Sequence, residues 1–226
     1  MTHFRTRAVH AGQPPDASSG ALATPIVPST AFGYGSLERG AALFAGEISG
    51  YRYSRFANPT VAALEAKLAD LEGASTAVAF ASGTAATASV LLALARPGDE
   101  VAFLGPLYGG TENLFRDMGQ RWGIRVVDAT ACGLRAALTP ATRLVWVEAL
   151  TNPSLQLHDL AEVAAIARAH GAVTVADNTF CTPYLLRPLE HGIDLVLHSM
   201  TKYLGGHGNS IGGIVAGSAA LVAAVR

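Results

Sequence analysis

Lysine is nearly missing from this 226-residue chain: it occurs twice, at Lys67 and Lys202, against fourteen arginines. Charge of either sign is scarce, 15% of residues, and nearly balanced at a net −1. No basic stripe runs along the chain, so nucleic acid and anionic membrane surfaces are poor partners. No apolar run is long enough to span a membrane, and Met1-Thr2-His3-Phe4-Arg5 opens no signal peptide. Cysteine occurs only at Cys132 and Cys181, without metal or redox spacing. That excludes a disulfide scaffold and points to a reducing, cytoplasmic location. The seven histidines show no metal-ligand spacing, so no metal is expected, and His158 and His170 read as surface groups at helix edges.

What is present is apolar and periodic. Half of the residues are hydrophobic, enough for a sizeable core. Low charge with abundant alanine also fits a surface partly hidden by self-association. Residues 1–55 read as an extended N-terminal arm, since Gly, Pro, Ser and Thr recur there without a long periodic segment. From residue 56 to 226 helix and strand patterns alternate. Asn58 caps a helix with Pro59 in its first turn, and Val61, Leu64, Leu68 and Leu71 form its apolar stripe. Lys67 falls on the polar side of that helix and reads as a solvated lysine. Strands are predicted near 77–80, 100–104, 124–127, 144–147, 172–176, 194–198 and 213–216. Helices are predicted after Ser82, near 111–122, over 159–170 and from Ser218. This order predicts an α/β fold, a mostly parallel sheet sandwiched by helices, with ligands gathered at the carboxyl ends of the strands.

Lys202 stands in His198-Ser199-Met200-Thr201-Lys202-Tyr203-Leu204-Gly205-Gly206-His207, directly after an apolar run. A second apolar run, Ala172 to Ala176, ends in Asp177. An amine and a carboxylate delivered at strand ends are what a pyridoxal 5′-phosphate (PLP) site needs. The amine condenses with the aldehyde, and the carboxylate keeps the pyridine nitrogen protonated. Ser82-Gly83-Thr84 lies between a strand and a helix start, where free amides favour an anion; the plainer reading is a tight turn with Ser82 as a cap. Ser199 and Thr201 flank Lys202 with hydroxyls that suit a phosphate, though polar residues are common at strand ends. Asp177 could equally be a structural carboxylate, and Asn178 and Thr179 read as turn formers. Tyr108 could stack on a cofactor and carry protons, or simply cover the core. Tyr53 and Arg55 close the arm in a cluster that suits a phosphate or solvent. The pattern Gly208-Asn209-Ser210-Ile211-Gly212 matches a serine nucleophile elbow. It has a glycine-rich stretch before it and an apolar run after it, the reverse of the required order, so a serine hydrolase is not expected.

Taken together, Tyr53 to Thr60, Ala81 to Thr84, Tyr108 to Thr111, Asn152-Pro153, Asp177 to Pro183 and Ser199 to Tyr203 resemble the Cys/Met-metabolism family of PLP enzymes. That family includes cystathionine γ-lyase, cystathionine γ-synthase, methionine γ-lyase and the O-acylhomoserine sulfhydrylases. The resemblance implies the large domain of the fold type I PLP-dependent transferases. It implies that Lys202 carries PLP and moves protons, that Asp177 pairs with the pyridine nitrogen, and that Tyr108 stacks on the ring and assists the leaving group. Ser82, Gly83, Thr84, Ser199 and Thr201 would surround the phosphate, Asn152 would approach the ring hydroxyl, and Tyr53 and Arg55 would reach in from a neighbouring subunit of a dimer or tetramer.

The substrate implied is a small sulfur-containing amino acid or a homoserine ester. The reaction implied is γ-elimination on cystathionine, homocysteine or methionine, with γ-replacement by an O-acetyl- or O-succinylhomoserine sulfhydrylase or a cystathionine γ-synthase as the alternative. Leu150 stands where the family usually has proline. Gly110 stands where methionine γ-lyases carry cysteine, which argues against a dedicated methionine enzyme. Family members continue into a C-terminal domain that supplies an arginine for the substrate carboxylate. Here the last helix is cut at Arg226, so that domain is expected to be absent, and cofactor binding without full turnover is a further alternative.

Overall fold

The computed structural model describes residues 3–226. Two compact units result, one ending at Lys67 and the other running Leu68–Arg226. In the first, where no periodic segment was predicted, two helices form: α1 (Phe4–His10) and α2 (Leu37–Ala45). Ser36 caps α2 by accepting from the Arg39 N–H, and Gly46 closes it in the left-handed conformation. These signals are local and need no long periodicity, which is why a reading by periodicity passes over them.

Lys67 is not simply solvated. Its ammonium donates to the Val9 carbonyl at 3.0 Å and to Gln13 Oε1 at 2.7 Å, holding the segment after α1. Asn58 donates to the Val27 carbonyl and accepts from the Thr60 N–H, each at 2.9 Å. It therefore caps α3 (Pro59–Glu72) as expected and also anchors the chain before it. Of the expected stripe on α3, Leu68 and Leu71 are buried while Val61 and Leu64 are exposed.

The second unit is built on seven strands: β1 (Thr76–Phe80), β2 (Glu100–Leu104), β3 (Arg125–Asp128), β4 (Thr142–Glu148), β5 (Val173–Asp177), β6 (Leu195–Ser199) and β7 (Gly213–Gly217). Their order is β1-β7-β6-β5-β4-β2-β3. All seven coincide with predicted strands. β2 through β6 pair in parallel, while β7 runs antiparallel to both β1 and β6. Residues 200–212 join β6 to β7 without a helix.

Residues alternate across the pleat, so each strand serves two cores. On one face α4 (Gly83–Leu94) and α5 (Gly109–Trp122) pack on Val101, Phe103, Leu144, Trp146, Val175 and Leu197. On the other, the short α6 (Leu134–Ala137) and α7 (Leu160–Ala169) cover Ala102, Val145, Val147 and Ala176. The same face of the β1–β7 side is covered by Leu68 and Ala69 of α3. The remaining helices are α8 (Thr182–Leu185), a 3₁₀ turn (Pro188–His191) and α9 (Ala219–Val225). α6, α8 and the 3₁₀ turn have four residues each, too few for a periodic signal. Among the described residues no helix is long and apolar enough to cross a membrane.

Candidate active site

A cavity of about 360 Å³ opens at the carboxyl edge of the sheet. The chain reaches it after β1 with Ser82 to Thr84, after β2 with Tyr108, at the end of β4 with Glu148, at the end of β5 with Asp177, and after β6 with Ser199, Thr201 and Lys202. Asn152 also lines it. All nine candidates that lie in the second unit are thus brought together. Tyr53 and Arg55 belong to the first unit, where the Arg55 guanidinium lies 4.6 Å over the Phe56 ring and 5.7 Å from the Tyr53 ring.

At one wall, α4 begins at Gly83. The Ser82 hydroxyl accepts from the Ala85 N–H at 3.0 Å, so the serine side chain serves as the cap. The Gly83 and Thr84 amides stand at the first turn, the place where an anion meets both N–H groups and the positive end of the helix. A Cβ on Gly83 would come 2.8 Å from Ser199 Cβ, so only glycine lets the helix start this close to the β6 end. Thr201 lines the cavity too, but its hydroxyl accepts from the Gly212 N–H at 3.2 Å and thereby ties the Lys202 loop to β7.

At the floor, Asp177 is held by one residue. Thr179 donates to Asp177 Oδ1 from its hydroxyl at 2.5 Å and from its N–H at 3.0 Å. The same hydroxyl accepts from the Ser199 N–H at 2.8 Å. Thr179 is therefore the turn former expected and also a bridge between the ends of β5 and β6. Burial pushes the Asp177 carboxyl above its ordinary value; the Thr179 bonds and the charge of His198 oppose that rise.

Glu148 was not anticipated. It accepts from the Tyr108 N–H and from the Asn152 N–H at 3.2 Å, so it fixes the two loops that bear those side chains. Burial, reinforced by the Asp177 charge, pushes its carboxyl up to about 7, with both N–H donors acting in the opposite direction. The pattern that marks it is the one that marks Asp177: an acid ending an apolar strand, here Leu144 to Val147.

Tyr108 is half exposed beside the start of α5, and a Cβ on Gly110 would come 2.4 Å from its ring. Lys202 lies exposed at the cavity in the turn after β6, its N–H donating to the Ser199 carbonyl at 3.2 Å. The rival serine falls away: Ser210 is in an exposed loop with strand β7 after it and no helix. His170 is exposed at the end of α7, but His158 is half-buried, and that burial lowers its proton affinity. Among the described residues no group of three or more His, Cys, Asp or Glu gathers as a metal site.

A lone lysine, a half-buried strand-end acid and a helix start in one cavity are the donor set for a phosphorylated pyridine aldehyde. A family model, Cys/Met metabolism PLP-dependent enzyme, matches residues 5–225. The chain belongs to this family. It is 50% identical to an L-methionine gamma-lyase from Pseudomonas putida, over 99% of this chain and 57% of that protein. It is 44% identical to a cystathionine gamma-synthase from Mycobacterium bovis, over 92% of this chain and 53% of the relative. A crystal structure from Campylobacter jejuni that carries N′-pyridoxyl-lysine-5′-monophosphate superposes with a TM-score of 0.92 at 33% identity. The match covers 98% of this chain and 55% of that one. The chain thus spans a little over half the length of these relatives.

The family's cofactor is PLP, and the residues present fit it. Among the described residues no lysine or arginine forms an ion pair with Asp177, whose two hydrogen bonds both fall on Oδ1. A half-buried carboxylate in that state has room for a cationic partner, which a pyridinium supplies.

Proposed function

We propose that this protein is a PLP-dependent carbon–sulfur lyase that performs γ-elimination on cystathionine-, homocysteine- or methionine-like amino acids. The observation that supports it most is the convergence of Lys202, Asp177 and the Gly83–Thr84 amides on one cavity in a chain of this family. PLP supplies the electron sink that lets a carbanion form next to the amino group. The Lys202 amine anchors the cofactor, then takes the Cα proton of the substrate and returns a proton later. Asp177 holds a proton on the pyridine nitrogen. The Gly83 and Thr84 amides with the Ser199 and Thr201 hydroxyls bind the phosphate, and Ser82 keeps those amides in place by capping the helix. The Tyr108 ring lies against the cofactor and its hydroxyl protonates the departing sulfur. Asn152 faces the ring hydroxyl. Tyr53 and Arg55 contribute from the neighbouring copy of a cytoplasmic dimer or tetramer.

Gly110 weighs against a dedicated methionine enzyme, while the 50% identity to a methionine gamma-lyase weighs for one, so the substrate range includes all three amino acids. A second reading, γ-replacement on a homoserine ester by a synthase or sulfhydrylase, is favoured by the 44% identity to a cystathionine gamma-synthase. The assay that decides measures 2-oxo acid release from cystathionine, homocysteine and methionine, and homocysteine formation from O-acetylhomoserine plus sulfide. Lyase activity should dominate and fall on the order of a hundredfold or more in Lys202→Ala. Homocysteine formation without 2-oxo acid release favours replacement. Cofactor uptake with no turnover of any substrate leaves only a cofactor-binding chain.

A further inference from the structure

A second polar cluster lies on the opposite face of the sheet from α4. Leu197 packs under α4, and the next residue, His198, points the other way, paired across from Ile214 of the core that covers Leu68 and Ala69. Glu72, the last residue of α3, meets it there. Its Oε1 accepts from His198 Nε2 at 2.5 Å and from Asn178 Nδ2 at 3.3 Å. All three residues are 0% exposed. Glu72 Oε2, His198 Nδ1 and Asn178 Oδ1 have no hydrogen-bond partner.

A buried acid and imidazole with half their polar atoms unmatched are poor stabilisers. Apolar side chains of similar volume commonly do as well or better. The cluster therefore calls for a reason other than stability. Glu72 does not line the cavity, yet it grips a neighbour of each principal element in it. Asn178 follows Asp177, and His198 precedes Ser199, three residues before Lys202. The Asn178 N–H also donates to the Leu197 carbonyl at 2.8 Å, which stitches the same two strand ends.

We propose that Glu72 is a positioning residue of the cofactor site. Through a single carboxylate oxygen it draws His198 and Asn178 together and so fixes Asp177 and Ser199 at the separation that the pyridine nitrogen and the phosphate require. The role rests on the PLP reading of the cavity. His198, held by Glu72, also acts electrostatically on Asp177, in the direction that opposes the rise caused by burial.

The test measures PLP affinity by equilibrium titration, and the pH titration of the bound cofactor's visible band, in the full chain. Glu72→Ala should weaken PLP binding about tenfold or more, the loss expected for hydrogen bonds to a charged group. It should also displace the titration of the band, and Glu72→Gln, which keeps the acceptor oxygen, should recover part of the affinity. A folded Glu72→Ala chain with unchanged affinity and titration overturns the assignment. If Glu72→Ala does not fold, the paired change Glu72→Leu with His198→Leu refills the site with apolar volume. That chain should fold and bind PLP weakly; PLP binding equal to wild type overturns the role. So does a result in which every change at 72, 178 and 198 only unfolds the chain, since the cluster is then purely structural. A wild-type chain that takes up no PLP sinks the reading of the cavity instead.

Discussion

Asp177 and Glu148 are both acids that end a buried strand, pair in register across β4 and β5, and face one cavity, yet their surroundings differ. Asp177 has one threonine on one oxygen and is left for a cation. Asp177→Asn should lower turnover on the order of a hundredfold or more, because an amide cannot hold a proton on the pyridine nitrogen. Steady-state assay of the loaded chain checks it. Glu148 is engaged by two N–H groups and is raised from 4.5 to about 7. With the folded value above the unfolded one, its contribution to stability is complete below about 4.5 and is lost as pH rises through about 7. The cofactor-free wild type should therefore lose melting temperature over that interval relative to Glu148→Gln, whose amide does not titrate and keeps one of the two acceptor oxygens. Parallel pH slopes for the two chains would show that Glu148 does not titrate there.

At the scale of elements, the start of α4 separates a local role from a binding role. The Ser82 side chain caps the helix, whereas the Gly83 and Thr84 amides face the cavity. Ser82→Ala should cost about 1 kcal/mol of stability by thermal unfolding, and lower PLP affinity less than Gly83→Ala does. Gly83→Ala should do the reverse of that balance. The added Cβ meets Ser199 Cβ at 2.8 Å, so helix and strand end must separate and phosphate binding should fall by about tenfold or more. Titration of both variants with PLP distinguishes the two. In the loop after β6, Thr201 combines the two roles: its hydroxyl accepts from the Gly212 N–H, and it also lines the cavity.

At the largest scale, the sheet of the second unit is packed on both faces, so the strand ends that carry the site stand on two cores. Trp146 in β4 is 0% exposed and meets Phe115 edge-on at 5.2 Å. Trp146→Ala should destabilise the chain by about 3–5 kcal/mol. Trp146→Phe should cost much less, because the indole N–H has no acceptor to lose. Chemical denaturation of the two variants checks the ranking.

The sequence by itself determined the strands, the longer helices of the second unit and the strand-end candidates, because each is written in a local run of apolar residues closed by a turn or a polar residue. Lys202 stood out by rarity, Asp177 by its place at the end of such a run. Tertiary structure alone decided three things. It set the antiparallel return of β7, which depends on how the Lys202 loop folds back. It gathered Thr179 and Glu148 into the cavity, which depends on which strands lie side by side. It joined Glu72 to His198, residues 126 positions apart, because no periodicity or spacing records which buried groups will share a hydrogen bond once distant segments pack.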